Sequence, residues 1–137
     1  EGWPLTTPRL VRREYETADG REVFLSWEDA SETIHALLRL SLVDPDRPGG
    51  GAAVATVREL HVYGPEVALG ERDASSPPHH GRGVALLGEA ERIAAGEGRA
   101  AALRVLSGVG VRDYYRRLGY VLAGAYMTKH LGVPAAP

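Results

Sequence analysis

Glu59 and His61 stand two residues apart in 57-VRELHVY-63. On a β-strand this spacing puts both side chains on one face, roughly 6.6 Å apart along the chain, where a carboxylate and an imidazole can handle one proton between them. The same alternation turns Arg58, Leu60 and Val62 to the other face. A second stretch, 78-PHHGRGVALL-87, sets Gly81 and Gly83 around Arg82 just before a helical pattern begins. A glycine-rich turn running into a helix offers unpaired backbone N–H groups at the positive end of the helix dipole, which is an anion site. Without a Cβ, the two glycines let a pyrophosphate approach the backbone closely, and Arg82 or His80 adds charge from the side. A third stretch carries Tyr114 and Tyr115. As helix neighbours they point ~100° apart and so have different surroundings, and a phenol of pKa ~10 is better at giving a proton than at taking one.

Each stretch also has a plainer reading: a solvated face of an edge strand, an ordinary loop-to-helix junction, and core aromatics. Other chemistries fail on context. A dinucleotide fingerprint follows the first strand directly, with a third glycine and an acidic residue ~20 positions on; here four strand-like runs precede the glycines. No Gly-Lys-Ser/Thr is present for a P-loop. His79 and His80 are adjacent, so their side chains diverge, and no HExxH-like spacing supports a metal; no metal site is expected. The chain has no cysteine, which removes disulfides, thiolate zinc, iron–sulfur clusters and a cysteine nucleophile from this polypeptide.

These residues need elements to position them. Two strand-like runs, LVRREYE and EVFLSWE, flank Ala18-Asp19-Gly20, the sign of a hairpin. Residues 32–43 read as a strand because DPDRPGGG turns the chain before the next strand, 52–64. Residues 64–80 form a long loop without period. From Gly83 to Ala95 the apolar positions Val84, Leu87, Ala90, Ile93 and Ala94 fall three and four apart, an amphipathic helix. A buried strand at 101–106, a short helix at 111–118 closed by Gly119, and a last strand at 120–131 complete the order β-β-β-β-α-β-α-β.

At 137 residues this is one domain with a core. Residues 1–8 read as a linker or remnant of a preceding domain, 9–131 as the domain, and 132–137 as a flexible tail. A net charge of −2 excludes a strongly basic nucleic-acid-binding chain, so any RNA contact must be a local patch. No apolar run approaches the ~20 residues of a membrane span and the N-terminus lacks the pattern of a signal peptide; the expected location is cytoplasmic.

The order and motifs resemble the GNAT acetyltransferases. Pro78-His79-His80-Gly81-Arg82-Gly83 is similar to their Gln/Arg-x-x-Gly-x-Gly/Ala element, departing from it at Pro78, and YYRRLGY at 114–120 looks like their Tyr-x-x-Leu-Gly-Phe/Tyr element. RELHVYGPEV, EAERIA, SGVGVRDYYRRLGY and GAYMTKHL, together with EYETADGREVFLSWED, resemble more narrowly the acetyltransferase domain of the Elongator complex protein 3 family, over about residues 9–131.

The resemblance implies an α/β GNAT acyltransferase fold with a mixed, twisted central sheet of about six strands flanked by helices. It implies acetyl-CoA as cofactor, held by the central strand at Glu59, Leu60, His61 and Val62, by the backbone of Gly81, Arg82, Gly83 and Val84 at its pyrophosphate, and by Tyr115 near the thioester sulfur. Tyr115, Glu59 and His61 are the catalytic candidates. The implied activity is an acetyl-CoA-dependent step in modifying carbon 5 of the wobble uridine of tRNA. Arg12, Arg13, Arg112, Arg116 and Lys129, with Arg9 and Arg117, are candidates for tRNA contact. In that family an iron–sulfur cluster and S-adenosylmethionine serve a radical SAM domain, which lies outside this cysteine-free chain. The implied partners are therefore tRNA, a radical SAM domain in the same polypeptide or a partner chain, and Elongator-like subunits or a second copy, with no membrane. Protein lysine N-acetylation, and a non-catalytic CoA-sensing or tRNA-docking module, are the alternatives.

Overall fold

A computed structural model of the chain describes residues 8–50, 53–63 and 81–132. The readings made on residues 1–7, on the loop 64–80 with Pro78, His79 and His80, and on the tail 133–137 lie outside the described residues. The elements are β1 (Arg9–Glu16), β2 (Gly20–Glu28), β3 (Ile34–Val43), β4 (Val54–Val62), α1 (Arg82–Gly96), β5 (Ala102–Leu106), a 3₁₀ turn (Val109–Val111), α2 (Arg112–Arg117), β6 (Val121–Ala123) and β7 (Tyr126–His130). They build one seven-stranded sheet of order β1-β2-β3-β4-β5-β7-β6. All its pairs are antiparallel except β4 with β5.

The sheet has one strand more than expected because 120–131 is not a single strand. Gly124 takes φ +63 and folds the segment into the β6–β7 hairpin, a backbone conformation that glycine adopts without steric cost. Gly119 behaves as read. At φ +98 it follows α2, its N–H donates to the Arg116 carbonyl, and the Tyr120 N–H donates to that of Tyr115. This pairing closes the helix as a Schellman cap. Gly20 is required for a different reason: a Cβ there would sit 2.0 Å from the Leu42 carbonyl oxygen.

One face of the sheet carries the core. Val23, Leu25, Ala36, Leu38, Leu40, Ala55, Val57, Leu103, Val105 and Met127 pack in one cluster with Leu86, Leu87, Ala90, Ile93 and Ala94 of α1 and with Tyr115 and Tyr120. Lys129 lies on this face. Its ammonium donates to the Glu91 carboxylate at 3.2 Å and to the Leu118 carbonyl at 3.0 Å, while the Tyr120 hydroxyl donates to Glu91 at 2.7 Å. This clamp ties α1, the end of α2 and β7 together.

Candidate active site

In β4 the buried positions are Ala55 and Val57, continuing Ala53 just before the strand, and then the half-buried Leu60 and Val62 pack on the core cluster. The phase slips at Arg58. Leu40 pairs with Val57 and Arg39 with Glu59, so Arg58 has no opposite residue on β3 and is exposed. Simple alternation had put Arg58 with Leu60 and Val62; the β-bulge corrects that. A bulge bends its strand and sharpens the local twist, and the result is visible on the other edge of β4. Its ladder with β5 runs from Val54–Ala102 to Val57–Val105 and stops, while the ladder with β3 continues to Val62. Beyond Val57 the strands diverge, and the β5-facing backbone edge of β4 has no strand partner among the described residues.

The divergence opens a cleft of about 170 Å³. Val57, Arg58, Glu59 and Leu60 form one wall, Val105 to Gly108 the other, and Val111 and Tyr115 close it. Tyr115 is 2 % exposed and its ring stands edge-on to those of Tyr114 and Tyr120. Burial pushes its phenol well above the ordinary range, so it stays protonated. A larger depression of about 230 Å³ lies by Gly20, Leu42 and Glu97; it holds none of the candidate residues.

Glu59 and His61 share a face, as alternation required, and it is the face away from α1. Their carboxylate and Nε2 are 3.1 Å apart. Glu59 is also engaged by Arg39, which the sequence reading missed: Arg39 Nε donates to it at 3.3 Å and Nη1 donates to Glu22 at 3.3 Å. The Glu59 carboxylate and the His61 imidazole are close enough to share a proton.

The C-terminal end of β4 lies near the start of α1. Val62 pairs with Ala36, and next to it His35 Nδ1 lies 3.4 Å from Arg82 Nη1. Among the described residues no side chain caps α1, and no carboxylate sits in its first turn; the N–H groups of that turn suit an anion. The structure thus brings Glu59, Leu60 and Tyr115 to one cleft. His61 and Val62 lie further along the same edge, toward Gly81, Arg82, Gly83 and Val84.

No protein-family model matches the chain. It is 49% identical over 128 residues to the tRNA uridine(34) acetyltransferase of Dehalococcoides mccartyi (strain CBDB1), covering 90% of this chain and 28% of that protein. To the Elongator complex protein 3 of Danio rerio it is 49% identical over 125 residues, covering 89% of the chain and 23% of the relative. The archaeal Elp3 of Methanocaldococcus infernus, with an N-terminal deletion, superposes with a TM-score of 0.72 at 45% identity, over 90% of this chain and 30% of that one. By sequence and fold this chain is similar to a segment of the Elongator complex protein 3 proteins. It spans about a quarter of the length of the curated relatives it matches. Nourseothricin acetyltransferase, 19% identical with a TM-score of 0.57, shares the fold alone, which is that of the GNAT acetyltransferases.

Within this Elongator-like segment the basic residues raised for RNA are spread out and mostly engaged. Arg12 makes a two-pronged pair with Glu97 at 2.8 and 2.6 Å, and Arg13 pairs with the buried Glu28 at 2.6 Å on the opposite face of the sheet. Arg116 pairs with Asp113 at 2.7 Å. Lys129 is held in the clamp to Glu91 and Leu118. Arg112 differs: its Nε is buried with no partner among the described residues. No helix among those residues is long and apolar enough to cross a membrane.

Behind Arg82, Asp29 was also missed. Its carboxylate accepts from Ser31 N–H at 3.0 Å, Ser31 Oγ at 2.8 Å and Thr33 N–H at 3.1 Å, and faces His35 Nε2 at 3.0 Å. His35 first, then Ser31 and Thr33, hold Asp29 well below the usual carboxylate range. A depressed carboxylate stabilises the fold above its unfolded pKa of ~3.9, and loses that contribution as pH falls toward its folded value. Asp29→Asn is therefore expected to lower the thermal midpoint at neutral pH and to flatten its decline below about pH 4. Parallel midpoint-against-pH curves for the two proteins would remove Asp29 from this role.

Proposed function

We propose that this domain binds acetyl-CoA along the free edge of β4 and serves as the acetyltransferase part of an enzyme modifying carbon 5 of the wobble uridine, position 34, of tRNA. The observation that carries the reading is the cleft where β4 leaves β5, with Tyr115 at its back and an uncapped helix start at the far end of the same edge.

The residues present suit an extended amide chain ending in phosphates. The β4 backbone beyond Val57 offers N–H and C=O groups to pantetheine amides in the manner of an added strand. The first-turn N–H groups at Arg82 to Val84, with the Arg82 guanidinium, face the pyrophosphate. Acetyl-CoA supplies an activated acetyl thioester. Tyr115 donates a hydrogen bond at the sulfur. Glu59, held by Arg39, and His61 beside it form the pair that takes up a proton. For the RNA we assign Arg112, Arg116 and Arg117, which share the short α2 helix with Tyr115, ahead of Arg12, Arg13 and Lys129.

The test is release of CoA from acetyl-CoA with and without tRNA, alongside calorimetric binding of acetyl-CoA. Micromolar binding with tRNA-stimulated release is the expected result. Release stimulated only by a lysine peptide would move the assignment to protein acetylation, and tight binding without turnover would make the domain a CoA-sensing module.

A further inference from the structure

Ser107 follows the last residue of β5 and lines the cleft opposite the free edge of β4. Its hydroxyl oxygen is out of solvent and has no hydrogen-bond partner among the described residues. Buried polar atoms in folded proteins nearly always have a partner, and a lone one weakens the fold. The side chains beside it on that wall, Val105 and Leu106, are apolar, and Val111 behind it is too. A ligand in the cleft that brings an acceptor to this wall would supply the missing partner.

We propose that Ser107 is a ligand-contacting residue of the cleft, its hydroxyl donating a hydrogen bond to a carbonyl oxygen of the acetylated pantetheine arm. The inference rests on the acetyl-CoA reading and deepens it. One side of the cleft is a backbone edge offering both donors and acceptors, and that edge satisfies one side of an extended amide chain. The carbonyls turned to the other side need a donor from β5 and its following turn. Tyr115 serves the sulfur end, and Ser107 is the remaining side-chain hydroxyl on the cleft wall. The contact lies on the arm and not at the phosphates, because α1 starts at the other end of the β4 edge.

The experiment is calorimetric binding of acetyl-CoA and of S-acetylpantetheine to the parent chain, Ser107→Ala and Ser107→Thr, with thermal midpoints for all three. Ser107→Ala is expected to weaken both ligands by the same factor, roughly tenfold, while the ligand-free midpoint stays level or rises. Ser107→Thr keeps the hydroxyl and is expected to retain most of the affinity. Binding by Ser107→Ala within twofold of the parent overturns the proposal, as does an equal loss in Ser107→Thr, which would mean shape and not hydrogen bonding. A tenfold loss for acetyl-CoA with none for S-acetylpantetheine overturns the placement on the arm. Failure of the parent to bind acetyl-CoA at all counts against the cofactor reading itself.

Discussion

Tyr115→Phe is expected to fold as the parent does and to turn over acetyl-CoA roughly 10²–10³-fold more slowly, the usual effect of removing one well-placed donor from a developing negative charge. The ring stays packed edge-on between Tyr114 and Tyr120, so the thermal midpoint should barely move. Sequence alone suggested a phenol of ordinary acidity passing its proton to the leaving sulfur. Burial changes that account: with its pKa raised, Tyr115 keeps its proton, and in the proposed role it would hydrogen-bond to the sulfur as charge builds there. The parent-to-variant rate ratio should therefore be the same at pH 7 and pH 10, since raising the pH through 10 does not ionise this phenol. A ratio that collapses near pH 10 would show a solvent-accessible tyrosine, and equal rates at both pH values would take Tyr115 out of the chemistry.

What the sequence made legible follows from which interactions are local. The Asp-Gly turn, the run 32–43 as a strand, the helix from the glycines onward and the Gly119 cap are set by neighbours a few residues apart, and each was read correctly. The Glu59–His61 pair was also legible, because strand alternation is a local rule. The bulge at Arg58 was not: it depends on how β4 registers against β3, whose flanking partners Leu40 and Arg39 are distant in sequence, and the ladder to β5 ends beside it. Arg39 in IHALLRLSLV was visible as a lone charge on the Leu37/Ser41 face, yet only the strand pairing reveals that its partner is Glu59. Ser107 gave no signal beyond following a strand and preceding a glycine. The basic residues misled in the opposite direction. Lys129, the only lysine, reads as an exposed charge in sequence, whereas the sheet register turns it inward to Glu91.

Leu86→Ala is expected to cost about 2–5 kcal/mol, the range for emptying a fully buried leucine site, and to lower the thermal midpoint by about 10 °C in a domain of this size. Leu86 is 0 % exposed and packs from α1 onto the sheet. Alanine is at least as good a helix former as leucine, so the loss comes from packing and not from unwinding the helix. Val84 supplies the contrast. Periodicity had put it on the buried stripe, but the observed stripe is Gly83, Leu86, Leu87, Ala90, Ile93 and Ala94, and Val84 is 39 % exposed. Counting back from Ala90 by three and four reaches Leu87, Leu86 and Gly83, which puts Val84 past the edge of the stripe. Val84→Ala should thus change stability by no more than about 0.5 kcal/mol, and equal losses in the two variants would contradict the rotation of α1. That rotation bears on the site as well as on the core. A helix seated by Leu86 and Leu87 holds Gly83 against the sheet and turns Arg82 toward His35, so loosening the seat is expected to weaken acetyl-CoA binding in Leu86→Ala at temperatures where the chain is still folded.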